Sequence, residues 1–309
     1  MNQQNTNKKF SVVLTSFNAK NTIQKTIESI FGQEGIYTEF DLELIVVDDQ
    51  STDGTFELLQ NQENIKLYQT NQNTGGPNAG RNIGLENCTG DSIAFVDHDD
   101  IWVEDKLQSV LPYIDHAPIL TSGYTIFNAH LNKTVIKTKN SKDKFVRYGK
   151  NETFIDKLSK TNNRQNTYLG CLIISKKLKN IRFEEHFGMV DFDWILKIFH
   201  QQKSIEICKP LYNRYINKNN LSLNENYRLI DFHYSMLTLE KFYDKHPRQV
   251  NKGIKRLYGS RARYYYVIGK YKLARRHFAK SSLSIKSILY YLTSFIGAKW
   301  VRKNFEVMG

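Results

Sequence analysis

Cysteine is scarce: Cys88, Cys171 and Cys208 are the only three among 309 residues. They are too widely spaced for a disulfide framework or a zinc pattern, and a reducing cytoplasm suits them. Long apolar runs are missing too. No stretch approaches the ~18 consecutive apolar residues of a membrane-spanning helix. The opening MNQQNTNKKFSVV has no apolar segment behind its charges and is not expected to act as a secretory leader. Acids nearly vanish at the other end. From Arg261 onward, eleven basic residues stand against Glu306 alone. No unit of 20 to 50 residues recurs, which argues against a solenoid.

What remains is an ordinary globular composition, 40% hydrophobic and 24% charged, long enough for one large domain or a domain with an appendage. The net charge of +13 calls for an anionic partner, whether nucleic acid, membrane surface or phosphorylated substrate. Most of that excess belongs to the C-terminal stretch.

The first half alternates strand and helix signals. SVVLTSFN is an apolar run ending in turn residues, and NTIQKTIESIFGQ places Ile23, Ile27, Ile30 and Phe31 at helical spacing. LELIVVDDQS is a second buried strand. STDGTFELLQN begins a helix with Ser51 or Asp53 as N-cap. IKLYQT, GGPNAGRNIGLENC, DSIAFVD and WVEDKLQSVLPYI continue as strand, loop into helix, strand and helix. This order predicts a mostly parallel sheet covered on both faces, with ligands at the carboxyl ends of its strands. Thr15 to Asn18, Asp48 with Asp49, and Asp97 to Asp100 should therefore share one rim. Beyond about residue 118 the pattern changes. ILTSGYTIFNAHLNKTVIKTKN reads as two strands, TYLGCLIISKKL as another, MVDFDWILKIFHQ as an amphipathic helix and SIEICKPLYNRYI as a strand. A boundary near residue 222 separates residues 1–222 from a basic, tyrosine-rich helical region at 223–309.

Four clusters can carry chemistry. Asp97, Asp99 and Asp100 crowd one strand-to-helix turn, and crowded carboxylates favour a partner cation. Mg²⁺ or Mn²⁺ takes one or two carboxylates plus substrate phosphates and water. The plainer reading is an acidic helix start. Asp48 and Asp49 end a strand on the same rim, where a carboxylate can accept an imide N–H; Asp in a strand-end turn is also common. GGPNAGRNIG lacks the G-K-[ST] ending of a Walker loop. Its Arg81 can meet phosphate or orient a carboxylate. Asp191 and Asp193 open a helix, where one can act as a general base and either can be a cap.

Taken together and in order, VVLTSFN, IVVDDQSTDG, NTGGPNAGRNIG, IAFVDHDD and VDFDWILKI resemble the glycosyltransferase family 2 signature. The resemblance runs over roughly residues 10 to 220. It implies an α/β GT-A fold, a Rossmann-like, mostly parallel sheet flanked by helices, here with a C-terminal helical appendage. It also implies an inverting, metal-dependent transfer of sugar from a UDP-sugar to a hydroxyl of a bacterial surface glycan or lipid-linked acceptor. By that resemblance Thr15, Phe17 and Asn18 border the nucleotide and Asp49 bonds the uracil. Arg81 serves the nucleotide side, and Asp97 lies near ribose or phosphate. Asp99 holds Mn²⁺ or Mg²⁺, with Asp100 sharing it. Asp191 is the base and Asp193 the fallback. The Glu that usually precedes the base is Val190 here, which removes one expected substrate partner. PLYNRYINKNNLSLN loosely matches the loop that folds over the diphosphate, through Arg214 and Ser222. Its expected histidine is Asn217, and Lys218 stands by for phosphate. Gly170 and Cys171 fall on the acceptor side, with Cys171 a packing residue. His98 varies among members and is read as pointing away. Trp102 and Trp194 follow carboxylate pairs at expected helix starts, where packing is the commoner role.

The C-terminal mixture of basic and aromatic residues suits an anionic bilayer, or otherwise a solvated bundle or subunit contact. A peripheral place on the inner face of the cell membrane follows as an expectation. Three other functions compete. A nucleotidyltransferase needs a Gly-rich basic loop after the first strand, which TSFNAKNTI is not. A nucleic-acid binder needs a basic sheet face, whereas this rim is acidic. A nucleotide-sugar-binding protein without catalysis fits poorly with an intact Asp99 and Asp191.

Overall fold

The computed structural model describes residues 7–129, 132–161, 164–186, 190–216, 224–282 and 284–297. The chain divides into two compact units, residues 1–153 with 163–227, and residues 154–162 with 228–309. Nothing in the composition of 154–162 marks it as part of the helical unit.

The first unit opens with β1 (Lys8–Ser16), α1 (Ile23–Phe31), β2 (Phe40–Asp48), α2 (Thr55–Gln60), β3 (Ile65–Gln69), α3 (Asn78–Asn87) and β4 (Ser92–Asp97). It continues with β5 (Ile101–Trp102), α4 (Lys106–Val110), β6 (Ile119–Asn128), β7 (Lys133–Lys137) and β8 (Phe145–Tyr148). Then come α5 (Glu152–Leu158), which runs into the second unit, β9 (Ile173–Ser175), α6 (Phe192–Phe199) and β10 (Ser204–Ile216). The strand order is β3-β2-β1-β4-β9-β6-β10-β5, with β7 on β6 and β8 on β10. β3, β2, β1 and β4 run parallel, as do β6 and β10, while β9 is antiparallel to both neighbours.

Register places the expected rim. Thr15 pairs with Val47 and with Asp97, and Ser16 with Asp48. Alternation along β1 sends Val12 and Leu14 into the main core with Ile23, Ile27 and Ile30 of α1, each such side chain stabilising by about 1.5–3 kcal/mol when fully buried. Val13 faces the other way, onto α3. A Cβ at Gly84 would lie 2.3 Å from Val13 Cγ1, so only glycine lets α3 sit that close to the sheet. On this second face Phe95 of β4 meets Phe183 and Trp194 edge-on, and those two rings stack at 4.2 Å. That packing docks α6 on the sheet.

Several local expectations change. Trp102 lies in β5, paired with Tyr212, not at a helix start. Gly54, left-handed at φ 89°, is the N-cap of α2, while Asp53 receives the Thr55 N–H. TYLGCLII becomes a short 3₁₀ turn at Leu169–Cys171 followed by β9.

Away from the rim, Glu43 ties three segments together. Ser11 and Thr89 hydroxyls and the Thr89 and Gly90 N–H groups donate to it, and Lys66 and Lys9 lie 2.9 and 3.0 Å away. Burial raises its pKa, but these donors outweigh burial and hold it well below its ordinary 4.5. The unfolded chain therefore binds more protons on the acid side. The stabilisation is present above about pH 4.5 and drains away as pH falls. Glu43→Gln is expected to cost about 1–3 kcal/mol at pH 7, with the gap narrowing in acid. Urea midpoints for both proteins at neutral pH and near pH 3 check this; an equal gap at both would refute the linkage.

Candidate active site

The acidic turn at the end of β4 is held differently at each of its carboxylates. Asp97 Oδ1 accepts from Arg81 Nη2 at 3.0 Å. Arg81, buried on α3, also donates to Asn78 Oδ1 at 3.1 Å and lies 5.5 Å from the Phe183 ring. Arg81 thus orients a carboxylate, one of the two roles foreseen for it. Asp99 is half-buried. Burial, with Asp97 adding to it, pushes its pKa up despite the opposing pull of His98. His98 turns toward α1, where its Nδ1 lies 3.5 Å from the Thr22 hydroxyl.

Asp100 is 2% exposed. Its Oδ2 accepts from the Tyr168 and Tyr212 hydroxyls at 3.0 and 2.9 Å, and its Oδ1 from the Tyr215 N–H at 2.9 Å. Burial first, then Asp97 and Asp99, pushes it up to about 8. In this arrangement the carboxyl braces the turn against β10 through both of its oxygens.

Two features bring Tyr212 there. β10 shifts register against β6 on both sides of Pro210, and such bulges re-aim the side chains that follow. Gly170 yields the space: a Cβ on it would sit 2.2 Å from the Tyr212 ring. Lys106 closes the cluster from beneath. Its Nζ donates to the Gly170 carbonyl at 3.0 Å and lies 5.0 and 5.2 Å from the Trp102 and Tyr212 ring centroids. Burial pulls this ammonium down to about 8. Arg214 lies 4.8 Å from the Tyr168 ring. Burial lowers its pKa, but Tyr168, Asp100 and Asp97 outweigh that and hold it protonated. Cys171 is buried, its thiol pushed up to about 11 by burial, as a packing residue should be.

Further along the rim, Asp49 Oδ1 accepts from the Thr70 and Thr74 hydroxyls and the Thr74 N–H, and Oδ2 shares that N–H at 3.0 Å. Asp48 is wholly buried and receives the Ser16 and Ser51 hydroxyls, so it shapes the turn. Thr15 is buried, while Phe17 exposes its ring. Asn18, left-handed at φ 48°, accepts from the Thr52 N–H at 2.9 Å.

Asp191 is the N-cap position of α6 and its carbonyl takes the Ile195 N–H. Asp193, at 2% exposure, is ion-paired with Lys197 at 2.5 Å, a poor setting for the fallback base. Trp194 is fully buried, its indole donating to the Ile181 carbonyl, and serves packing. Asn78 Nδ2 donates to the Glu184 and Val190 carbonyls at 2.7 and 3.0 Å, and Asn82 exchanges two bonds with the Phe183 backbone. A continuous relay therefore runs from Val190, beside Asp191, through Asn78 and Arg81 to Asp97. Sequence reading noted Asn78 in the loop-to-helix stretch of α3 without this role, and passed over Lys106, Tyr168 and Tyr212. A buried-phase lysine beside Leu107 and asparagines spaced i, i+4 in α3 were the available signals. Lys218, Asn217 and Ser222 lie outside the described residues. No group of three His, Cys, Asp or Glu side chains forms a metal cage among the described residues, and no helix among them is long and apolar enough to cross a membrane.

The chain is similar to proteins of known name. Staphylococcus aureus poly(ribitol-phosphate) beta-N-acetylglucosaminyltransferase TarS is 36% identical over 117 residues, 36% of this chain and 20% of its own length. The Escherichia coli UDP-Glc:alpha-D-GlcNAc-diphosphoundecaprenol beta-1,3-glucosyltransferase WfgD is 35% identical over 122 residues, 38% of this chain and 46% of its own. The matched part thus spans less than half of either relative. The crystal structure of residues 1–349 of S. aureus TarS with UDP superposes at a TM-score of 0.64 and 18% identity, covering 96% of this chain and 93% of that one. That likeness bears out the GT-A fold. The family model described as glycosyl transferase family 2 matches residues 11–182, more than half of the sequence, and the chain belongs to that family.

Proposed function

We propose that the chain is an inverting, metal-dependent glycosyltransferase. It moves a sugar from a UDP-sugar to a hydroxyl of a surface glycan or lipid-linked acceptor. The observation that carries this reading is the relay from Val190 through Asn78 and Arg81 to Asp97. It ties the segment bearing Asp191 to an acidic turn on the ligand rim.

The donor set suits Mn²⁺ or Mg²⁺. These hard cations need only one or two carboxylates when a diphosphate and water complete the shell, and burial, with Asp97 adding to it, disfavours the Asp99 charge that a cation would stabilise. Asp99 holds it, with Asp97 beside it; Asp100 braces the turn. A divalent cation there supplies charge neutralisation at the departing diphosphate. Asp49 takes the uracil imide N–H through Oδ2, its less occupied oxygen, and the exposed Phe17 ring borders the base with Thr15 and Asn18. Arg214 offers a fixed positive charge to the diphosphate. Asp191 removes the acceptor proton as the hydroxyl attacks the anomeric carbon opposite the leaving group, which inverts that centre. The two relatives' names both specify phosphate-bearing acceptors, and a chain of net charge +13 suits such an acceptor. Peripheral attachment to the inner face of the cell membrane belongs to the same reading and rests on the basic excess after Arg261.

A panel of UDP- and GDP-sugars with Mn²⁺, Mg²⁺ or EDTA, scored for slow donor hydrolysis without acceptor, tests this. UDP release from at least one UDP-sugar, abolished by EDTA, is expected. Release from GDP-sugars alone, or release that EDTA does not touch, overturns the donor or the metal assignment respectively.

A further inference from the structure

Besides residues 154–162, the second unit holds α7 (Glu225–Glu240) from Arg228 on, α8 (Pro247–Val267), α9 (Tyr271–Ala279) and α10 (Ile285–Thr293). α10, the last helix among the described residues, is inside out. Ser287 and Ser294 are buried, Tyr290 stacks on Phe278 and meets Tyr266 edge-on, and Thr293 accepts from the Tyr266 hydroxyl at 3.0 Å. The Arg275 guanidinium donates to the Ser294 carbonyl at 3.2 Å. These contacts lock the helix's rotation with its polar, small-residue side inward. Its aliphatic side faces out: Ile285, Ile288, Leu289 and Leu292 follow the i, i+3, i+4, i+7 spacing of one helical stripe, prolonged by Phe295 and Ile296. All six are between 44% and 79% exposed.

We infer that this stripe is a docking surface for an anionic phospholipid bilayer, in which α10 lies flat in the headgroup plane. The inference rests on the peripheral placement proposed above and assigns the face that makes it. Charge argues for lipid over a second copy. Lys286 sits on the helix, Lys272 and Arg276 of α9 and Lys280 at its C-cap are exposed, and Arg275 covers the Phe295 ring at 4.5 Å. Pairing two such surfaces would set cations against cations, whereas anionic headgroups neutralise them as the aliphatic side chains enter the acyl boundary. At ~1.5 Å per residue the nine residues of α10 reach less than half the thickness of a bilayer core, so the helix lies on the membrane and does not cross it.

The test uses the full chain and extruded vesicles of phosphatidylcholine, alone or mixed with phosphatidylglycerol. Co-sedimentation with the mixed vesicles is expected, weakened by salt, and reduced about tenfold or more by combined Ile285→Ser, Leu289→Ser and Leu292→Ser. UDP binding should be unchanged in that variant. As a second reading, Leu289→Trp should be quenched by brominated lipid. Vesicle binding that survives the triple substitution, without quenching, overturns the α10 assignment while leaving membrane placement standing. Absence of vesicle binding by the wild-type chain overturns both, and a dimer by light scattering that the triple variant dissolves would give the stripe to a second copy.

Discussion

Asp191→Asn is expected to lower sugar transfer by about 10²–10⁴-fold, the usual contribution of a positioned general base, while the Kd for the UDP-sugar stays within about twofold. Asparagine keeps the shape and the N-cap position but cannot take a proton. The Asn78 side-chain amide bonds the Val190 backbone carbonyl and not the Asp191 side chain, so the segment should stay in place. Initial rates with a phosphate-bearing acceptor, together with calorimetric titration of donor, separate the two effects. Asp193→Asn is the control. Its carboxylate is buried against Lys197, and losing one partner of that pair should cost stability more than chemistry. Near-normal transfer by Asp191→Asn would remove Asp191 from the base role. If Asp193→Asn lost transfer with stability and donor binding intact, the role would pass to Asp193.

Why the rim was legible in sequence and its bracing was not is a matter of range. Strand ends announce themselves locally: an apolar run stops at Thr15, at Asp48 and at Asp97, and parallel pairing alone aligns those stops. The close seat of Gly84 on Val13 had no such local sign, since the glycines of GGPNAGRNIG pointed only to a loop entering a helix. What holds Asp100 comes from residues 68, 112 and 115 positions away, reached through a bulged strand and a glycine turn. No periodicity encodes such a meeting. The same holds for Lys106, which as a single letter resembles any surface lysine. Composition marked the C-terminal region as basic and aromatic, but which side of α10 turns outward depends on Tyr290 finding Phe278 and Tyr266. Trp102 shows the converse error: a helical-looking neighbourhood lost to pairing with Tyr212.

The bracing of Asp100 separates two carboxylates that stand side by side, and the second large effect follows from it. Asp99→Ala is expected to abolish the enhancement of UDP binding by Mn²⁺ and to lower kcat/KM by about 10²-fold or more, equivalent to about 2.7 kcal/mol of transition-state stabilisation. Asp100→Asn should behave otherwise. Its amide oxygen can still accept from the Tyr168 and Tyr212 hydroxyls, but the amide nitrogen cannot accept the Tyr215 N–H. The cost then falls on the fit of β10 against the turn, about 1–3 kcal/mol for one unsatisfied buried donor, with the Mn²⁺ response kept. UDP titrations with and without Mn²⁺, beside urea midpoints for both variants, give a two-by-two outcome. Metal response lost at 99 with stability held, and stability lost at 100 with metal response held, is the expected pattern. Loss of the metal response in Asp100→Asn would return Asp100 to the cation and reduce its tyrosine bonds to a resting arrangement. Retention of it in Asp99→Ala would move the cation to Asp97, whose Oδ1 Arg81 already holds, so that Arg81→Lys should then shift the Mn²⁺ response.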